Sequence, residues 1–177
     1  MKATGIVRRI DDLGRVVIPK EIRRTMRIRE GDPLEIYTNS GGEVIFKKYS
    51  PMGELASFAA EYADALSQGT ELSVIICDRD HCIAAAGISK KEALERKVTP
   101  ELESIINERK SVNVENENLV ALEGIDRGIR VASPIIAAGD VCGAVVLLQS
   151  DTGDNVSDAD MKLVSVAAAF LGRQVEA

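Results

Sequence analysis

Residues Thr4–Asp32 read TGIVRRIDDLGRVVIPKEIRRTMRIREGD. Arg8, Arg9, Arg15, Arg23 and Arg24 fall within this stretch, with Arg27 and Arg29 just beyond them. Gly14 and Pro19 shape the backbone between the charges, and Ile and Val supply a thin apolar face. Period-two alternation predicts a strand over 4–10, with Ile6, Arg8 and Ile10 on one face and Val7 and Arg9 on the other. Asp11-Asp12-Leu13-Gly14 reads as a turn, and Gly14 suits a positive φ. Arg15 to Ile18 reads as a second strand. Pro19 suits a helix start, and Lys20 to Ile28 is expected to make two helical turns. In that helix Ile22 and Met26 would point inward, and Arg23 and Arg27 would share another face with Arg24 beside them.

Like charges this close repel one another unless an anion sits among them. Arginine stays charged and offers a rigid fork of five N–H donors, which suits phosphate oxygens and guanine edges. The competing reading is a solvated charged face. Asn and Gln are absent from residues 1–38, so phosphate contacts and groove shape should outweigh direct base reading. The expected DNA-binding residues are Arg8, Arg15, Arg23 and Arg24, assisted by Lys2, Arg9 and Arg27.

Outward from this core the chain divides by charge. Residues 1–50 hold 11 Lys+Arg against 7 Asp+Glu, a net of +4, and residues 51–177 hold 11 against 21, a net of −10. The overall −6 averages these two parts. Leu34–Thr38 and Glu43–Tyr49 read as a hairpin closed by Asn39-Ser40-Gly41-Gly42. Four short strands and one short helix bury too little surface to stand alone. Two chains are therefore expected to fold together over residues 1–50, which doubles the arginines about a two-fold axis. Residues 51–55 read as a linker and the start of a helix, and 56–177 as a second domain.

In the second domain Leu55, Phe58, Tyr62 and Ala65 predict the apolar stripe of a first helix. Strands are expected at Glu71–Asp78, Cys82–Ala86, Ile129–Ala137 and Val141–Ser150, with a short one at Ser111–Val114. Helices are expected at Ser89–Arg96 and Pro100–Lys110. The last helix, capped by Ser157, carries two apolar stripes, which predicts burial against its own sheet and against a partner. The order predicts an α+β fold with a largely antiparallel sheet. No export signal or membrane-length apolar run is legible, and three cysteines without a framework fit a reducing cytosol. A Cys₃His zinc site from Cys77, Cys82, Cys142 and His81 lacks a recognised spacing. Small buried hydrophobes are the preferred reading, and no metal is expected.

The stretch TGIVRRIDDLGRVVIPKEIRRTMRIREGDPLEIY resembles the N-terminal DNA-binding domain of the AbrB transition-state regulators, most specifically in GRVVIPKEIRR. The resemblance implies a swapped-hairpin dimer at the N-terminus and DNA contact by Arg8, Arg15, Arg23 and Arg24. With its longer C-terminal part, the chain is similar to sporulation regulators of this group. That likeness implies a GAF-like C-terminal domain and a factor that activates some forespore genes and represses others at the nucleoid. The Asn-Lys-Phe-Asp-Glu signature of cyclic-nucleotide-binding GAF domains is absent from the sequence.

No catalytic residue or cofactor is expected. Some GAF-like enzymes reduce methionine sulfoxide with a cysteine thiolate, but the acidic C-terminal part offers little positive charge besides Arg79. An unidentified small molecule in the GAF-like domain, under a lid at Glu117–Arg130, and a filled core serving only oligomerisation are both left open. Pairing through the first and last helices would make a tetramer. The rivals are an antitoxin-like regulator that binds a toxin protein and a GAF-type enzyme with an incidental basic arm.

Overall fold

The computed structural model describes residues 4–115, 118–150 and 156–176. The chain divides into two compact units at Tyr49/Ser50.

In the first unit, helix α1 (Lys20–Thr25) is followed by strands β1 (Leu34–Thr38) and β2 (Val44–Lys48). The strands pair antiparallel from Leu34↔Lys48 to Thr38↔Val44. Their loop is built by Asn39, whose Oδ1 accepts the Gly41 and Glu43 N–H groups, while Gly42 takes φ +78°.

Three local expectations are corrected here. Residues 4–10 and 15–18 form no strand. A strand needs a ladder partner, and within one chain these segments have none. Their apolar side chains stay in solvent, with Val7 85% and Val17 71% exposed. The third correction is the length of α1. The Ile28 N–H reaches back to the Arg23 carbonyl and the Arg27 N–H to that of Arg24, and Arg27 takes φ +52°. This is a Schellman ending with arginine in the left-handed position usual for glycine. It stops the helix at Thr25 and takes Arg27 off the helical face it was expected to share with Arg23.

The second unit is a five-stranded antiparallel sheet in the order β4-β3-β7-β6-β5. The strands are β3 (Val74–Asp78), β4 (Cys82–Ala86), β5 (Val112–Asn113), β6 (Ile129–Ala137) and β7 (Asp140–Leu148). The β6–β7 hairpin turns on Ala138 and Gly139, both at positive φ. Helices α3 (Ala56–Thr70) and α6 (Asp158–Glu176) cover one face; α5 (Pro100–Asn107) and residues 119–125 cover the other. On the α3/α6 face Ala59, Ala63, Leu66, Val164, Ala168 and Leu171 pack on Val74, Ile76, Val145 and Leu147. Small residues let α6 lie close to the sheet: a Cβ on Gly172 would stand 2.2 Å from the Ile136 carbonyl oxygen.

Within residues 51–55, expected as a linker and the start of a helix, stands a helical turn, α2 (Pro51–Glu54), capped by Ser50 and anchored by fully buried Met52. The Ser50 hydroxyl also donates to Asp78 Oδ2 at 2.8 Å. The helix expected over 89–96 is shortened to α4 (Lys90–Ala93). Beyond it the chain turns to cover the edge of β4, where the Glu95 N–H bonds the Cys82 carbonyl and the Cys82 N–H bonds the Arg96 carbonyl.

Candidate nucleic-acid interface

The interface begins with a loop that one carboxylate organises. Asp11 Oδ1 accepts the Leu13 N–H at 3.0 Å and the Arg15 N–H at 2.8 Å. Asp11 Oδ2 accepts Arg15 Nε at 2.8 Å. Backbone bonds Asp11 N–H to Arg15 C=O and Gly14 N–H to Asp11 C=O close the loop, and Gly14 takes φ +76°. The hydrogen bonds from Arg15, backbone first and then side chain, hold the Asp11 carboxyl below its ordinary value. Arg15 is thus presented at the base of a fixed loop with its side chain 70% exposed.

Arg8 and Arg9 lie exposed on the segment before this loop. Pro19 precedes α1 with φ −57°, and α1 carries half-buried Arg23 and exposed Arg24 on successive positions. No residue of α1 is buried within the chain. Arg27 is half-buried past the helix end, and its carbonyl accepts Lys48 Nζ at 2.9 Å. Lys2 lies outside the described residues. The sequence reading missed Asp11. An Asp at the start of a Gly-containing turn has the chemistry to bond N–H groups ahead of it, and that signal was present.

The cysteines do not assemble with the histidine. Cys77 and Cys82 are fully buried on the α5 face of the sheet, whereas Cys142 packs with the α3/α6 side. Among the described residues no group of three or more His, Cys, Asp or Glu is arranged to hold a metal. Hydrogen bonding of the Cys77 thiol to Cys82 and then burial push that thiol well above its ordinary value, the opposite of an activated thiolate. Part of the expected lid is core: Ala121 and Leu122 are buried against Leu102, Ile129 and Val98. Its first residue, Glu117, lies outside the described residues. Among the described residues no helix is long and apolar enough to cross a membrane.

Residues 54–176 match the family model for the stage V sporulation protein T C-terminal domain, a transcription factor. The chain belongs to the stage V sporulation protein T family of transcription factors. Stage V sporulation protein T of Bacillus subtilis (strain 168) is 54% identical over 179 residues, covering 99% of each chain. Residues 7–53 match the model for the MazE antitoxin, described as antidote-toxin recognition. The transition state regulatory protein AbrB of the same organism is 61% identical over 51 residues, 29% of this chain and 52% of that one. The fold of the second unit is that of a GAF domain. The one from an Acinetobacter phosphoenolpyruvate-protein phosphotransferase superposes with a TM-score of 0.58 at 14% identity, covering 73% of this chain and 84% of that one. Membership of the stage V sporulation protein T family makes this chain a regulator of transcription.

Proposed function

We propose that this regulator of sporulation genes grips duplex DNA through Arg8, Arg15, Arg23 and Arg24, gathered from two chains in an intertwined dimer of residues 1–50. The observation that carries the proposal is the pairing, in one small unit, of exposed arginines with exposed aliphatic side chains. Val7, Ile10, Val16, Val17, Ile36 and Val44 are all in solvent in the single chain. Segments 4–10 and 15–18 then find their ladder partners in a second copy. The dimer doubles the arginine set on a scaffold whose net charge is positive, so counterion release drives association. The lack of Asn and Gln among the first 38 residues favours phosphate and shape readout over base-edge bonding.

The GAF-like unit joins dimers into a tetramer through α3 and α6. Leu163, Val166 and Phe170 form an exposed stripe along α6, 43%, 61% and 38% accessible. Phe58, Tyr62 and Phe170 cluster there with ring centroids 5.7–6.3 Å apart, Tyr62 stacked on Phe170 and Phe58 tilted against both. Such an aromatic surface is depleted of charge and suits a self-complementary interface. A tetramer bridges two DNA sites, which accommodates activation at some forespore promoters and repression at others. A small molecule that shifts this assembly would act through the α5 face of the same domain. The antitoxin reading has one supporting observation, the MazE match over residues 7–53. Against it, the remainder of the chain is a packed GAF-like domain rather than a toxin-wrapping tail.

The test is binding of full-length protein to duplex DNA carrying mapped sites. Replacing Arg8, Arg15, Arg23 and Arg24 singly by Ala should cost about 1–3 kcal/mol each at most. The quadruple variant should retain a dimer but lose specific binding. Parental affinity in the quadruple variant would refute the assignment, and a co-purifying toxin would favour the antitoxin reading.

A further inference from the structure

We propose that Cys77 and Cys82 form a built site for a reversible intrachain disulfide across the β3–β4 hairpin, taking up a low-molecular-weight disulfide as oxidant. The two residues are direct partners in the antiparallel register, Cys77↔Cys82, although the pairs before them run Val74↔Ala86, Ile75↔Ala85 and Ile76↔Ala84. A bulge between Ile76 and Cys77 leaves Ile83 as the extra residue. Without it Cys77 would face Ile83, and Cys82 would fall on the opposite side of the sheet. With it both sulfurs join the cluster on the α5 face, next to Ile75, Ala85 and Ala144.

The hydrogen-bond pattern fixes the type of pair. The Cys82 N–H goes to the Arg96 carbonyl and the Cys82 carbonyl to the Glu95 N–H, both away from β3. Cys77 and Cys82 are therefore a non-hydrogen-bonded pair, in which opposed Cα atoms stand about 4.5 Å apart and side chains are closest. That separation lies at the short end of the range a disulfide spans, about 4.4–6.8 Å. Both residues are free thiols here, with Cys82 Sγ donating to the Ala84 carbonyl at 3.2 Å. Closing the bond requires only that this weak contact be given up.

The chemistry balances by exchange. When local opening brings one cysteine to solvent and its thiol gives up its proton there, the thiolate attacks a sulfur of the small disulfide and expels the first small thiolate, which leaves a mixed disulfide. The second cysteine thiolate attacks the protein sulfur of that mixed disulfide and expels the other small thiolate. The protein loses two electrons and two protons, and the reagent leaves as two thiols. Both cysteines are fully buried, so the reagent enters when the edge strand β4 opens locally. Closure then ties β4 to β3 at the point where the 95–96 segment is bonded to Cys82.

The test uses the full chain carrying Cys142→Ser, treated with cystamine in native buffer and then alkylated in denaturant. The expected product is lighter by two hydrogens, carries no alkyl group on Cys77 or Cys82, melts a few degrees higher and reverts with dithiothreitol. With Cys82→Ser added, Cys77 should hold a cystamine adduct or stay free, with no gain in melting temperature. Full alkylation of both cysteines after prolonged native treatment, while the unfolded chain crosslinks, would overturn the proposal. So would a crosslinked product that melts lower than the reduced protein, because the hairpin would then not be shaped for the bond.

Discussion

In the proposed DNA contact, Asp11 sets how Arg15 is presented to a phosphate. Its carboxylate holds two backbone N–H groups and the arginine itself, so it preorganises the loop while placing a negative charge beside it. Asp11→Asn keeps an acceptor for the turn and removes the charge. That charge repels an approaching phosphate. The variant should therefore bind duplex several-fold more tightly at low salt, with the gain fading as salt rises. Asp11→Ala removes the acceptor too, so the loop loosens and affinity should fall; titrations of both variants by fluorescence anisotropy check this. The pH sense follows from the lowered carboxyl. A depressed folded value means that Asp11 supports the loop fully above its ordinary value of 3.8. That support is lost as pH falls through the lower, folded value. Amide signals of Leu13 and Arg15 should keep their neutral-pH positions down to about pH 4 and shift below it.

At the scale of elements, the tightest constraint is the seat of α6 on β6. Gly172→Ala would put a methyl 2.2 Å from the Ile136 carbonyl oxygen, and backbone on both sides resists. The helix must lift, at a cost of about 1–3 kcal/mol, and the melting temperature of the second unit should drop by several degrees. Periodicity found α6, both long strands of the β6–β7 hairpin and the existence of α3, because each is set by its own alternation. It mistook the buried stripe of α3. Phe58 and Tyr62, expected inside, are only half-buried, while Ala59, Ala63 and Leu66 face the sheet. Aromatic residues announced the core, yet the sheet accepts the smaller side chains and leaves the rings for the aromatic cluster with Phe170. Strands at 4–10 and 15–18 were legible as extended alternation, but whether they pair depends on a second chain. The end of α1 was hidden because arginine rarely fills the left-handed site that Arg27 occupies.

At the scale of the whole molecule, the density of arginines was legible in the sequence, and the proposed binding surface rests on it. Their geometry was not, since Arg8, Arg15 and Arg23 sit on three separate local structures. The proposed assembly uses two distinct apolar surfaces, and each can be tested alone. Phe170→Glu places a charge in the aromatic cluster and should cost 2 kcal/mol or more of association, on the order of a hot spot. Sedimentation should then show a dimer in place of a tetramer, with short single-site duplexes bound as before. A concentration-independent monomer in the parent protein would contradict both interfaces. The central claim is that guanidinium groups neutralise phosphates, and the salt dependence of duplex affinity for the full-length protein tests it most directly. If the dimer covers on the order of six to eight phosphates, the log–log slope should lie near −5 to −7. A slope near zero, with binding retained, would contradict it.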